Sequence, residues 1–401
     1  MMGRFALTWG LSDIVRVGVV GGLLSCIDCA LVGAALPSMR TDLGLSDGRL
    51  SLFVSLSVAG MMLASLGGRR VLQGLGRKGA LRLAAVCVIA GVGLTAAFGG
   101  RFSLLAAGRV LQGFGLGLVF LTVPVVLVES VSAGFRGRAV CLYQLMMPVG
   151  MVVGGLLGGL LANVLSAGLA WRTSCLASAV PAVLLLAVAR TLPDPVGGSE
   201  AERYREEFPG LGLKAFAFGV LLPGLTQLMG IGLVLNYSVE MMRTAGFAGA
   251  DANAADIAVR LAYAALTALA YVVVDRVGRR VLMVTGCAGA AVALATAGLL
   301  AGQGVVFAAA VAAFVMFYAV GPGVCVWLVT PEVMPVRFRP QGMSLATFGG
   351  HVSSLVLTAV FLPAVAAWGQ GIVFLTLSGV AAAVCVLTAT CLPETRRRSL
   401  V

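Results

Sequence analysis

Apolar residues run along this chain in twelve long stretches, parted by short segments that hold nearly all of the charge. The stretches lie near 15–37, 50–68, 80–99, 104–128, 139–162, 170–190, 212–236, 256–274, 281–301, 305–330, 341–366 and 371–391. Most are about 20 residues, the length of helix that crosses a hydrocarbon core about 30 Å thick. Lipid offers the backbone no hydrogen-bond partners, so each stretch must satisfy its own N–H and C=O groups, which predicts α-helix. The pattern therefore predicts an all-α membrane protein with twelve transmembrane helices.

Composition agrees. Sixty per cent of the 401 residues are hydrophobic, 11% are charged, and the mean hydropathy is +1.03, whereas soluble domains carry about 25% charged residues. The 54 glycines would be poor in soluble helices, but small residues let membrane helices approach closely, as in the run Gly150, Gly154, Gly155, Gly158 and Gly159. The first apolar run, Val17 to Leu36, follows Arg4 and Arg16 and is long enough to span, so it reads as a helix and not as a cleaved signal. Cys26 and Cys29 have a C-x-x-C spacing, but within a span they read as small helix residues. No metal or cofactor is expected. Without a nucleophile–base pair or a phosphate loop, the chain is not expected to be an enzyme.

The net charge of +12 is spread in small clusters between apolar runs, with no basic face or aromatic-interleaved patch, which excludes a nucleic-acid binder. With the N-terminus inside, about 21 basic residues fall on the cytoplasmic side and about six outside. This asymmetry predicts a multi-pass protein of the cell (plasma or inner) membrane with both termini cytoplasmic.

The most polar stretch, Pro193 to Pro209, sits at the midpoint. It predicts an N-terminal six-helix bundle over 1–192, a short cytoplasmic linker over 193–211 and a C-terminal six-helix bundle over 212–401. A repeat supports two related halves. Gly76-Arg77-Lys78 recurs as Gly278-Arg279-Arg280, 202 positions on; Glu129 recurs as Glu332 and Arg136 as Arg339, each 203 positions on. Motifs at one offset are the mark of a duplicated transporter plan.

These motifs resemble the sugar porter family of the major facilitator superfamily. The residues that carry the resemblance are Gly108-Arg109-Val110-Leu111-Gln112-Gly113-Phe114-Gly115-Leu116-Gly117 with Pro124, Glu129 and Arg136-Gly137; Gln144-Leu145; Gln227 with Gly230, Ile231 and Tyr237; Ala245-Gly246-Phe247; Asp275-Arg276-Val277-Gly278-Arg279-Arg280; Trp327, Glu332, Pro335 and Arg339; and Pro393-Glu394-Thr395-Arg396. They cover almost the whole chain in order. The resemblance implies two pseudo-symmetric six-helix bundles and secondary transport by alternating access. Glu129, Arg136, Asp275, Arg279, Arg280, Glu332 and Arg339 become gating residues at cytoplasmic helix ends. The planar fork of Arg suits them to tie helix ends together in one state and release them in another.

Asp28 is the one carboxylate deep in a span, and Arg109 the one basic residue in a comparably apolar run. Ionised groups there are costly and usually functional. A guanidinium nearby favours the ionised carboxylate and an apolar setting disfavours it, so a change of distance changes proton binding. The pair is expected to couple transport to protons; the alternative is a structural ion pair.

By resemblance, the solute is a sugar or polyol held by Gln144, Gln227 and Trp327; Thr226, Asn236 and His351 are further candidate contacts, His351 being equally open to a structural role, and the protein is expected to work as a monomer. Several positions depart from the family pattern. Thr226 replaces a Gln, Gly232 an Asn, Asn236 a Tyr, Gly350 a polar residue beside His351, and Val324 and Val326 replace prolines; Gln73 and Gly74 weaken the first-half loop. Each lost hydrogen bond is worth about 0.5–1.5 kcal/mol, so a smaller polyol, a modified sugar or a less polar solute is expected in place of a standard hexose. The rival reading is a uniporter or exporter of a non-sugar metabolite or drug on the same fold.

Overall fold

A computed structural model describes residues 11–98, 100–130, 136–192, 212–235, 241, 249–334 and 339–392. The described secondary structure is helical, with twelve elements whose bounds are α1 (Leu11–Leu43), α2 (Asp47–Ala97), α3 (Phe102–Ser130), α4 (Arg136–Val164), α5 (Ala167–Ser178), α6 (Val180–Thr191), α7 (Gly212–Gln227), α8 (Gly249–Val277), α9 (Arg279–Leu299), α10 (Gly304–Val320), α11 (Pro322–Val333) and α12 (Arg339–Cys391), and a further helical stretch over 231–235. Among the described residues, eleven helices are long and apolar enough to cross a membrane. The N-terminal part of α12, residues 339–368, fills the remaining predicted stretch. Large apolar side chains such as Leu66, Leu156 and Leu299 stand exposed, the reverse of a water-soluble surface.

Elements and spans are not one to one, and glycine and proline explain why. The second and third predicted spans run on as α2, broken only at Gly76 (φ 66°, ψ −178°). The repeat partner Gly278 (φ 105°, ψ 152°) parts α8 from α9. Both lie where a side chain on Cβ is strained, so the repeated Gly-Arg-basic motif keeps its glycine for backbone reasons. Gly369 (φ 82°) bends α12 in the same way. The sixth span breaks at Ala179, just before Pro181 in the first turn of α6. The tenth span breaks at Gly321, before Pro322 opens α11. Proline has no N–H and fits a helix start but not its interior.

The chain divides into two compact units, one drawn from residues 1–208 with 336–344, the other from residues 209–335 and 345–400. In the first, α1 packs along α4, α5 and α6, and α3 lies against both limbs of α2. The span-4 glycines make that last contact possible. A Cβ on Gly115 would sit 2.6 Å from the Ala84 carbonyl and one on Gly117 2.7 Å from Met61 Cα, while one on Gly113 would overlap the Ser57 carbonyl. The signature thus reads as close helix packing. One end of this unit has an apolar core of Val32, Ala35, Met39, Leu50, Phe53, Leu105 and Trp171. In the second unit α9 packs on α10, α8 on α10, and α7 on α11.

Candidate functional site

The helix packing that the glycines allow carries Arg109 to the interior of the first unit. Arg109 is 3% exposed, and Asp28, on the buried face of α1, is 2% exposed. Arg109 Nη1 donates to Asp28 Oδ2 at 2.7 Å. A charge-assisted bond of this length inside a low-dielectric setting is the strong kind. The two groups singled out from sequence therefore meet, as an ion pair sealed from bulk water.

Gln112, one helical turn beyond Arg109, completes the arrangement. Its Nε2 donates to Asp28 Oδ1 at 2.6 Å and its Oε1 accepts from Arg109 Nη1 at 2.9 Å. Both carboxylate oxygens are thus engaged. Gln112 Nε2 also reaches Ser178 Oγ at 3.3 Å, and Ser178, the last residue of α5, donates to the Cys175 carbonyl at 2.7 Å. The Arg109 guanidinium lies 5.3 Å from the centroid of the Phe53 ring, in cation–π range. Arg109 Nε has no hydrogen-bond partner among the described residues. Sequence reading named Gln112 only within its motif and passed over Ser178 and Phe53. The signal available was the i, i+3 spacing of Arg109 and Gln112, which puts both on one helix face.

At one end of the same unit lies a cluster that sequence reading did not find. Trp171 Nε1 donates to Asp42 Oδ2 at 2.7 Å, Arg172 Nη1 lies 3.6 Å from the same oxygen, and the Arg172 guanidinium stacks 4.5 Å from the Trp171 ring centroid. It ties α1 to α5.

The second unit holds a buried charge pair of its own. Arg279 Nη2 lies 3.6 Å from Glu332 Oε1, with side chains 3% and 7% exposed. Arg279 also donates to the Val274 carbonyl at the end of α8, so one guanidinium joins α8, α9 and α11. Arg280 donates to the Ala389 carbonyl of α12. The other expected gating residues, Glu129, Arg136, Asp275 and Arg339, fall on helices, at the ends of α3, α4, α8 and α12, but their side chains lie outside the described residues.

The expected solute ligands divide between the units. In the first, Gln144 on α4 is 5% exposed, and its Nε2 has no hydrogen-bond partner among the described residues. In the second, Thr226 is buried and donates to the Pro223 carbonyl at 3.0 Å, Gln227 ends α7 half-buried, and Trp327 on α11 and His351 on α12 are half-buried. The two glycine departures converge. A Cβ on Gly232 would lie 3.9 Å from Gln227 Oε1 and 3.4 Å from Ser354 Oγ, and one on Gly350 3.9 Å from Gln227 Cγ. These are ordinary packing distances, so the two glycines lie against the Gln227 side chain, with Ser354 as the neighbouring hydroxyl. Asn236, the linker over 193–211 and the motifs at 245–247 and 393–396 lie outside the described residues.

Comparisons with known proteins agree with this architecture. The family model described as "Sugar (and other) transporter" matches residues 199–401, and that of the Major Facilitator Superfamily matches residues 18–242. A relative named D-xylose-proton symporter-like 2, from Arabidopsis thaliana, is 28% identical over 95% of this chain and 88% of its own. The galactose-proton symporter of Escherichia coli is 25% identical over 96% of this chain and 91% of its own. The solved structure of the proton:xylose symporter XylE bound to 6-bromo-6-deoxy-D-glucose superposes with a TM-score of 0.87 at 22% identity, covering 97% of each chain.

Proposed function

Given that the chain belongs to the sugar (and other) transporter family of the major facilitator superfamily, we propose that it carries a sugar-like solute across the membrane together with a proton, with Asp28 as the proton-binding group. The observation that carries this reading is the buried pair of Asp28 and Arg109 at 2.7 Å. A membrane-embedded ion pair is expensive to keep unless it does work. When the pair is closed, the guanidinium stabilises the carboxylate. When a conformational change draws Arg109 away, the buried carboxylate accepts a proton. The twelve-helix fold moves the solute by alternating access, and proton occupancy of Asp28 decides which form changes state. The names of the xylose and galactose relatives support a proton-driven sugar carrier.

Gln144 in the first unit and Thr226, Gln227, Trp327 and His351 in the second are the proposed solute ligands, with Asn236 as a further one. Glycine at 232 and 350 leaves two positions beside Gln227 without a hydrogen-bonding side chain, which favours a solute with fewer hydroxyls than a hexose, so D-xylose should be carried better than D-galactose. Arg279 and Glu332 are proposed to hold the cytoplasmic ends of α9 and α11 in one state and part in another, with Glu129, Arg136, Asp275, Arg280 and Arg339 in like roles. The protein is proposed to work as a monomer in the cell membrane with both termini cytoplasmic, a six-helix bundle over 1–192 and another over 212–401 joined by the linker.

The test is uptake of labelled D-xylose and D-galactose into proteoliposomes with and without an inward proton gradient. Accumulation above equilibrium that collapses when a protonophore is added is expected for D-xylose. Asp28→Asn should abolish accumulation and spare exchange of labelled for unlabelled sugar. Accumulation that survives Asp28→Asn overturns the coupling; failure to move either sugar overturns the solute class.

A further inference from the structure

The Gln112 amide touches both charges. It donates to Asp28 Oδ1 at 2.6 Å and accepts from Arg109 Nη1 at 2.9 Å. Its orientation follows from its neighbours. The second Nε2 hydrogen is directed at Ser178 Oγ, 3.3 Å away, and the Ser178 proton is already given to the Cys175 carbonyl at 2.7 Å. With the amide turned round, Oε1 would face a carboxylate oxygen and a hydroxyl with no proton to spare, and Nε2 would face a guanidinium. Three repulsive contacts would replace three bonds, so only the observed orientation fits. The polarised amide therefore lies along the ion pair, donor end to the anion, acceptor end to the cation.

We propose that Gln112, held in orientation by Ser178, is a positioning residue that sets how readily Asp28 takes up its proton. This rests on the reading of Asp28 as the proton-binding group. In the ionised state Gln112 supplies the second hydrogen bond to the carboxylate, on the oxygen that Arg109 does not reach. A bond to the charged form favours that form. Once Asp28 is protonated, its O–H becomes a donor, and Gln112 Oε1, released by a withdrawn guanidinium, is an acceptor within the same side chain. The amide can bond either protonation state, but its bond to the carboxylate is charge-assisted and the stronger of the two, so its net effect is to favour the ionised form.

The surroundings leave Gln112 little competition for this role. Among the described residues, α3 presents Arg109 to Asp28, and α5 presents Cys175, which lies in the field of both charges. The phenol of α4, Tyr143, is bonded to Ser25 and lies beside Cys26. The α2 neighbour is the uncharged Phe53. Cys26 and Cys29 share α1 with Asp28, and α6 brings no titratable group into the hydrogen-bonded network. Among the described residues, Arg109 and Gln112 are the side chains seen to bond the carboxylate.

The test uses purified full-length protein in detergent and needs no knowledge of the solute. Infrared difference spectra are recorded as pH is varied, and the carboxylic acid C=O band that Asp28→Asn removes is assigned to Asp28. In Gln112→Met, which keeps volume and removes both bonds, the midpoint of that band should move to higher pH by about one unit or more. Ser178→Ala should move it the same way by less, and it decides alone if Gln112→Met does not yield folded protein. A residue that only fills space would leave the midpoint where it is. A midpoint coincident with the parent's overturns the inference and leaves the coupling reading standing. If no Asp28-dependent band is seen in any variant, the coupling reading falls and this inference with it.

Discussion

Removing both partners of the Asp28–Arg109 pair should cost far less than the two single removals added together. Arg109→Gln leaves a carboxylate about 3% exposed, retaining only the bond from Gln112. Breaking a buried pair by deleting one member costs about 3–5 kcal/mol, because the remaining charge is uncompensated. The surviving Gln112 bond argues for the lower end, about 3 kcal/mol. Asp28→Asn leaves the guanidinium with Gln112 Oε1 at 2.9 Å and the Phe53 face at 5.3 Å, a softer landing that should cost about 2 kcal/mol. The double variant holds three neutral amides that can bond one another, and should cost about 1–2 kcal/mol. The coupling energy is then about 3 kcal/mol or more, well beyond the roughly 0.5 kcal/mol within which independent sites add. Denaturant unfolding of the four proteins in one mild detergent at one pH, followed by tryptophan fluorescence, measures it. A double variant as unstable as the two single losses combined would refute the reasoning, since the charges would then not be stabilising each other.

Two further outcomes are expected. Gly115→Ala places a methyl 2.6 Å from the Ala84 carbonyl, so thermal unfolding should show a loss of about 1–3 kcal/mol, while Gly155→Ala, where no atom lies within 4 Å, should be neutral or slightly stabilising. Trp171→Phe keeps a ring for Arg172 but removes the 2.7 Å bond to Asp42; because Asp42 is partly exposed, the same assay should read only about 1 kcal/mol.

Much of this was legible in the chain because lipid simplifies the reading. A helix length, a run of apolar residues and a lone charge within it each have few interpretations in a bilayer. That is why the twelve stretches were found and why Asp28 and Arg109, 81 positions apart, could be paired in advance. The glycine of each Gly-Arg-basic motif was likewise visible, although its reason, a backbone with positive φ at 76 and 278, was not. Contacts that depend on helix rotation escaped. Gln112 sat in a motif read for its arginine and glycines, and Ser178 is one small hydroxyl among many. Trp171 and Asp42 lie 129 positions apart with no pattern to join them. The breaks at Ala179 and Gly321 were hidden because hydropathy runs straight through Pro181 and Pro322.

Among the described residues, the partners of Asp28 and Arg109 belong to the first unit, whereas the glycine departures at 232 and 350 sit in the second. On the proposed reading, substitutions near Gln227 can change which solute is accepted while leaving every bond of the Asp28–Arg109–Gln112 network in place.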